Sequence, residues 1–334
     1  MTTIDSPPQP GSVAAKRSRR RMRHRDTERG FSRVFRAIAT GAGVLLLLVL
    51  AAVALFLVVR GWAALTASDE QLQATGGLPA GFTNLAEYIG PLIFGTLLAA
   101  ILALALATPV AVGIALFVSH YAPRRLGGAV GFVIDLLAAI PSVVFGLWGV
   151  QTLAPVIAPV WRWIANALSL LPGVSVEYTP TGRALATTSV VLAIMILPII
   201  TAVSREVFKQ TPRLHEEAAL ALGATRWEVV RTAVLPFGRS GVISAAMLGL
   251  GRALGETMAV LMILSPGLGY SLQIFAAGKH TTIAANIAAN FPEASGLAVN
   301  TLIATGLALF VITLAVNMAA RAIVARRKDF SGAN

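Results

Sequence analysis

Six stretches of the chain run with no charge, or almost none, for the length a helix needs to cross a bilayer, about 20 residues. Ala37–Val59 carries no charged residue, and neither does Tyr88–Pro123. Gly127–Pro155 holds only Asp135, and Ala184–Val203 holds none. Gly241–Ser265 carries Arg252 and Glu256, and Ser295–Ala320 is uncharged. The pattern predicts an all-α integral membrane protein with six transmembrane helices. It divides the chain into a basic tail over 1–36, a six-span membrane domain over 37–326 interrupted by a polar loop at 204–240, and a short tail over 327–334.

Charge decides the orientation. Charged residues make up 13% of the chain, about half the share in a soluble domain. Lys and Arg number ten in 1–36, two at Arg124 and Arg125, six in 204–240 and four in the C-terminal tail. The alternate connections hold only Arg60, Arg162, Arg183 and Lys279. This asymmetry predicts that both termini and the 204–240 loop are cytoplasmic. The net charge of +12 therefore reports topology and not nucleic-acid binding. With no cysteine, neither a disulfide framework nor a thiolate site is possible. The four His residues, His24, His120, His215 and His280, lie far apart in sequence, and no metal-ligand spacing is present. Before Phe31 the tail is polar, basic and expected to be largely disordered. Ser18-Arg19-Arg20-Arg21 faintly resembles an export signal, but the following span is too long for a signal-peptide core and reads as a retained anchor. The tail's basic run serves either as a topology determinant or as a contact for anionic lipid or a partner.

The 204–240 loop reads as two short helices. Thr211 is placed to cap the first, with Pro212 at its first position, and Glu216 and Glu217 suit the positive end of its dipole. Gly223 ends it. Thr225-Arg226-Trp227-Glu228 is a capping box that opens the second helix, and Pro236 is expected to end it. On physics alone this is either a docking element or an ordinary capped loop.

Glu217-Ala218-Ala219, three residues, Gly223, nine residues, then Ala233-Val234-Leu235-Pro236 resembles the EAA loop of ATP-binding-cassette importer permeases. Ala233 stands where that pattern usually has Ile. The resemblance implies a type I ABC importer permease-like fold. It also implies that Glu217, Ala218, Ala219 and Gly223 form the coupling element seated on a cytoplasmic ATPase. Gly249-Leu250-Gly251-Arg252-Ala253-Leu254-Gly255-Glu256-Thr257-Met258-Ala259-Val260 and Leu137-Ala138-Ala139-Ile140-Pro141-Ser142-Val143-Val144-Phe145-Gly146 resemble the phosphate-specific (Pst) permeases of the PstC type, over roughly residues 85 to 325. That resemblance implies import of inorganic phosphate across a bacterial plasma membrane. It further implies two ATPase subunits that bind ATP and Mg2+, a second homologous permease, an extracytoplasmic phosphate-binding protein, and no cofactor in this chain. Permeases for sulfate and molybdate share the loop and part of the glycine pattern.

Arg252 and Glu256 are spaced to share a helix face, and each alone is costly within a membrane, by about 2.5–3.5 kcal/mol. Two readings follow: a cation on the anion pathway, oriented by Glu256, or a structural ion pair. Asp135 is expected near the cytoplasmic end of the third span, as a snorkelling or capping group. Pro109, Pro141 and Pro198 are expected inside spans, as bends. Trp161 and Trp163 fall in an external connection at 156–182 and suit an interfacial anchor. Gln273, Lys279, His280, Asn286 and Asn290 fall in another at 266–298, as a binding-protein contact or plain surface. The one Gly-Lys pair, Gly278-Lys279, precedes His280 and makes no phosphate-binding loop. The chain is therefore expected to do no chemistry itself. A secondary transporter would require repeated halves and more intramembrane acids, and a membrane enzyme a clustered catalytic set.

Overall fold

The computed structural model describes residues 10–173 and 175–328, with side chains over 34–322 apart from 124 and 174. Thirteen α-helices follow one another among these residues, with no strand. They are α1 (Pro10–Thr66), α2 (Asp69–Ala74), α3 (Leu85–Leu116), α4 (Arg124–Ala138), α5 (Ser142–Trp148), α6 (Ala154–Leu168), α7 (Leu185–Lys209), α8 (Arg213–Ala221), α9 (Arg226–Val229), α10 (Leu235–Leu254), α11 (Met258–Ile263), α12 (Ile283–Asn290) and α13 (Leu297–Lys328). π turns extend α3 to Tyr121, join α5 to α6 and join α9 to α10.

Among the described residues six helices are long and apolar enough to cross a membrane: Val34–Thr66, Leu85–Tyr121, Ser142–Leu168, Leu185–Lys209, Arg226–Leu254 and Leu297–Ala322. The count matches the expectation, but two positions differ. The third span begins at Ser142, not Gly127. Pro141 withdraws helical conformation from the residue before it and restarts the chain as the N-cap of α5. The preceding residues form the separate helix α4, where Asp135 is exposed. Pro141 therefore marks a break between helices, while Pro109 and Pro198 do lie inside α3 and α7. The shift also draws Trp161 and Trp163 out of the expected external connection and onto the last turns of α6. The fifth span begins at Arg226 and stops at Leu254. Pro236 does not end it, because the π turn Val230–Val234 leads straight into α10, which has that proline at its start. A local π adjustment is one way a transmembrane helix re-satisfies the backbone groups that a proline frees.

In the basic tail the backbone is helical from Pro10 onward and continuous with the first span. Residues 1–9 and 329–334 lie outside the described residues, as do the tail's side chains up to residue 33. Residues 1–56 form one compact unit and 57–334 another. Within the first, the apolar side chains from Val34 to Val53 are exposed, as a lipid-facing helix requires.

In the second unit α3 and α7 form the central pair. Ala99, Ala103, Ala107, Ala111 and Ala115 recur every fourth residue along α3, each no more than 1% exposed. Methyl-sized residues on one stripe let helix backbones approach closely, the usual basis of helix association where lipid removes the hydrophobic drive. The same core takes in Val191, Leu192, Ile196 and Ile200 of α7, Leu250 and Leu254 of α10 and Val260 and Ile263 of α11. α5 lies against α11 so tightly that a Cβ on Gly146 would stand 2.9 Å from the Ala259 Cα.

Candidate functional site

The predicted coupling residues stand together on a protruding pair of short helices. α8 starts at Arg213, one residue later than expected, with Pro212 as its N-cap. Thr211 does not cap it: its hydroxyl is buried and without a partner. Glu217, Ala218 and Gly223 are exposed and Ala219 is half-buried. The helix closes in a Schellman motif. The Ala224 N–H donates to the Ala219 carbonyl at 3.1 Å and the Gly223 N–H to that of Leu220 at 2.9 Å. Gly223 has φ +84°, a left-handed conformation that costs any residue with a Cβ. The capping box of α9 is present as read from the sequence. The Glu228 carboxylate accepts from the Thr225 N–H at 2.7 Å and from its hydroxyl at 2.8 Å, and the Glu228 N–H donates back to that hydroxyl at 3.4 Å. Around these caps Leu214, Leu222 and Trp227 are 75%, 90% and 57% exposed, an apolar surface on an otherwise polar loop.

One support of this loop was not legible beforehand. The His120 Nε2 lies 3.6 Å from the Glu216 Oε1, and its Nδ1 is 2.7 Å from the Ser119 Oγ. The turn that ends the second span is thus tied to α8.

Arg252 and Glu256 do not pair. The shared face assumed one continuous helix, but α10 ends at Leu254 and α11 begins at Met258. Gly255 is a weak helix former. Glu256, 8% exposed, turns its carboxylate onto the Ala259 N–H at 3.1 Å. The carboxylate thereby satisfies an orphan amide at the positive end of α11. Arg252 takes part in none of the ion pairs among the described residues, and its Nε is buried without a partner. Its depth follows from α10: a Cβ on Gly249 would stand 2.9 Å from Ile200 and 3.5 Å from Ile196. Both lie near the middle of α7, and Arg252 is one turn further along. An unpaired guanidinium at that depth offers planar paired donors to an oxyanion.

The end of the bundle remote from α8 is held by contacts between distant segments. The Gln273 amide donates to the Ser175 carbonyl at 2.7 Å and accepts from the Glu177 N–H at 2.8 Å. Lys279 pairs with Glu177 at 3.0 Å. Asn286, buried, donates to the Tyr88 hydroxyl at 2.6 Å. His280 is 1% exposed, with its Nε2 2.6 Å from the Ser271 carbonyl and its ring stacked on Phe94. Burial holds this imidazole below its ordinary pKa, with Lys279 adding to the effect and the Ser271 bond opposing it. Trp161 donates to the Thr187 hydroxyl at 2.8 Å and packs on Phe275. These groups are structural ties and not plain surface.

Comparison with known proteins converges on one class. Residues 107–329 match the family described as binding-protein-dependent transport system inner membrane component. The chain is 47% identical over 307 residues to the phosphate transport system permease protein PstC 2 of Mycobacterium tuberculosis, covering 90% of this chain and 93% of that one. It is 48% identical over 278 residues to the PstC permease of Mycobacterium leprae, covering 81% and 86%. It is 37% identical over 306 residues to that of Mesorhizobium japonicum, covering 90% and 92%. Among solved structures, a bacterial ABC transporter involved in import of the acidic polysaccharide alginate aligns with a TM-score of 0.53 at 16% identity, over 79% of this chain and 91% of that one. This likeness bears on the fold.

Proposed function

This chain belongs to the family of binding-protein-dependent transport inner membrane components, and from that premise we propose that it is the permease subunit of an ATP-driven importer of inorganic phosphate. It is a multi-pass protein of the plasma membrane. The observation that carries the substrate is identity of 37–48% over most of the chain to permeases named for phosphate transport.

In this reading the α8–α9 face is cytoplasmic and docks on an ATPase. Leu214, Leu222 and Trp227 supply the apolar contact, and Glu217, Ala218, Ala219 and Gly223 set its shape. The capping box and the Schellman turn make the helix pair stiff, so that rigid-body motion of the ATPase passes to α7 and α10 at either side. Two such ATPases bind ATP and Mg2+ and supply the energy. A second, homologous permease completes the pathway, and an extracytoplasmic binding protein delivers phosphate. Arg252 meets the anion within the membrane. Glu256 is already engaged in capping α11, so it leaves the guanidinium free and offsets its charge at a distance. An arginine with a bonded carboxylate would have to give up that partner before meeting phosphate.

The test is labelled-phosphate uptake in cells lacking their own high-affinity phosphate importer, with this chain expressed beside its ATPase, partner permease and binding protein. Phosphate uptake that depends on this chain and is not competed by excess sulfate or molybdate is the expected result. Uptake of sulfate or molybdate in place of phosphate would overturn the substrate and leave the permease class standing.

A further inference from the structure

α7 is an unbroken helix of 25 residues, about 37 Å long. The coupling loop leaves one end of it. At the other end it meets α11 and the segment that follows, and here the two partners cap each other. The Ala184 N-cap has no side-chain oxygen for the first turn of α7. The Ala186 N–H is instead taken by the Ile274 carbonyl at 2.9 Å. In return the Arg183 guanidinium donates through Nε to the Ile263 carbonyl and through Nη2 to the Met262 carbonyl, each at 3.3 Å. Those carbonyls belong to the last turn of α11, which has no intrahelical partner for them, and a cation there suits the negative end of the helix. The Ser265 N–H adds a longer bond, 3.5 Å, to the Arg183 carbonyl.

We propose that Arg183 is a positioning residue that fastens α11 to α7, so that movement of α7 at the coupling loop shifts the α10–α11 break where Arg252 and Glu256 lie. α11 is six residues long, too short to hold its place by its own hydrogen bonds. Its flank packs on α5 at Gly146, its first turn is capped by Glu256 and its last by Arg183, so the short helix runs from the break to α7. When α7 tilts, the Arg183 end of α11 goes with it, and the Glu256 end moves relative to α10. Arg252 stands one turn before the break on α10, so its distance from the α11 N-terminus changes with the tilt. The coupling loop and the pathway cation are thereby linked through one continuous helix, with Pro198 inside it, and one guanidinium. A lysine at 183 retains the charge and a single-point donor, while glutamine retains neither the charge nor the fork.

This inference rests on the reading of the chain as a coupled phosphate permease. Its test uses the whole importer in proteoliposomes, with phosphate uptake and ATP hydrolysis measured together. Arg183→Gln is expected to lower phosphate transported per ATP about tenfold, a coupling loss typical of a residue on such a path. The concentration of loaded binding protein giving half-maximal ATPase activity should stay unchanged, and Arg183→Lys should restore most of the ratio. A merely structural loss would lower transport and ATPase activity together. Wild-type coupling in Arg183→Gln, with coupling lost in Gly223→Pro, would overturn the role of Arg183 and leave the coupling loop intact. Wild-type coupling in both would remove the underlying reading instead. If Arg183→Gln does not assemble, the decision falls to spin labels on introduced cysteines at Thr181 and Met258, in a chain that otherwise has no cysteine. A distance that stays constant between ATP-free and ATP-bound importer supports the fastening. A distance that changes by several ångströms overturns it.

Discussion

The two ends of α7 are built on opposite principles. At the coupling end, the caps that shape α8 and α9 close within five residues, and a longer contact, His120 to Glu216, reaches back to the second span. Thr225 and Glu228 are three apart, and the Ala224 to Ala219 bond spans five. Val229 and Val230 pack inward, while Leu214, Leu222 and Trp227 project outward with nothing to cover them among the described residues. At the far end almost nothing is local. Arg183 reaches 80 residues to Ile263, Gln273 reaches 98 to Ser175, and Asn286 reaches 198 to Tyr88. One end is a preformed, portable element that presents a surface. The other is a junction whose shape exists only when the bundle is assembled. An element that must dock on another protein benefits from caps that set its shape locally. An element that must respond to bundle movement benefits from the reverse.

Substitutions that separate the two ends test this contrast, and the largest effect belongs to the outward surface. Leu222→Asp places a charge on a residue that is 90% exposed, so the permease itself should fold normally. Its hold on the ATPase should weaken about thirtyfold, the loss expected at the centre of an interface, as read by co-purification in detergent. Arg252→Gln should next cut phosphate uptake about tenfold or more while ATPase association is unchanged, as read by labelled uptake against pull-down. At the far end, Gln273→Ala removes two bonds between segments and leaves the Ser175 carbonyl and Glu177 amide without that partner. It should lower thermal stability by about 1–3 kcal/mol without affecting ATPase binding, as read by thermal unfolding of the purified importer. The smallest effect is a pH dependence confined to the far end. Burial depresses the His280 pKa, so the neutral ring is the form the fold accepts. The stability it contributes is complete above the unfolded-state value of about 6.5. It should fade as pH falls below that value toward the depressed folded pKa. Protection of 265–280 against hydrogen exchange, taken relative to the intrinsic rate at each pH, should therefore fall as pH drops below about 6.5, and His280→Phe should flatten that response.

The same contrast explains what could be read from the sequence. Two devices of the 204–240 loop were legible because each is a pattern in a short window, Thr225 with Glu228 and a glycine at 223, whereas the Thr211 cap and the Pro236 stop were not borne out. Six spans were legible because hydropathy is a local property. Span borders were not, where the border depends on a break and not on charge. Pro141 separates α4 from α5 within an uncharged run, and Arg226–Leu254 is one helix through Arg231, Arg239 and Pro236. The pairing of Arg252 with Glu256 failed for a related reason. Four residues apart means one face only on an unbroken helix, and Glu256 found a better partner in an amide of α11. The ties at Arg183, Gln273 and His280 left no local signal, because the partner of each lies in another segment or in the backbone.

The most direct measurement of the central claim is made on Gly223→Pro in the reconstituted importer, with phosphate uptake and ATP hydrolysis recorded from the same vesicles. Gly223 has φ +84°, and proline is held near −65°, so the turn between α8 and α9 must change course while the transmembrane helices are untouched. The account predicts that the variant still assembles in the membrane and loses ATP-driven phosphate uptake. Uptake at the wild-type rate per ATP would show that the energy of hydrolysis reaches the pathway by a route other than this loop, and would contradict the account.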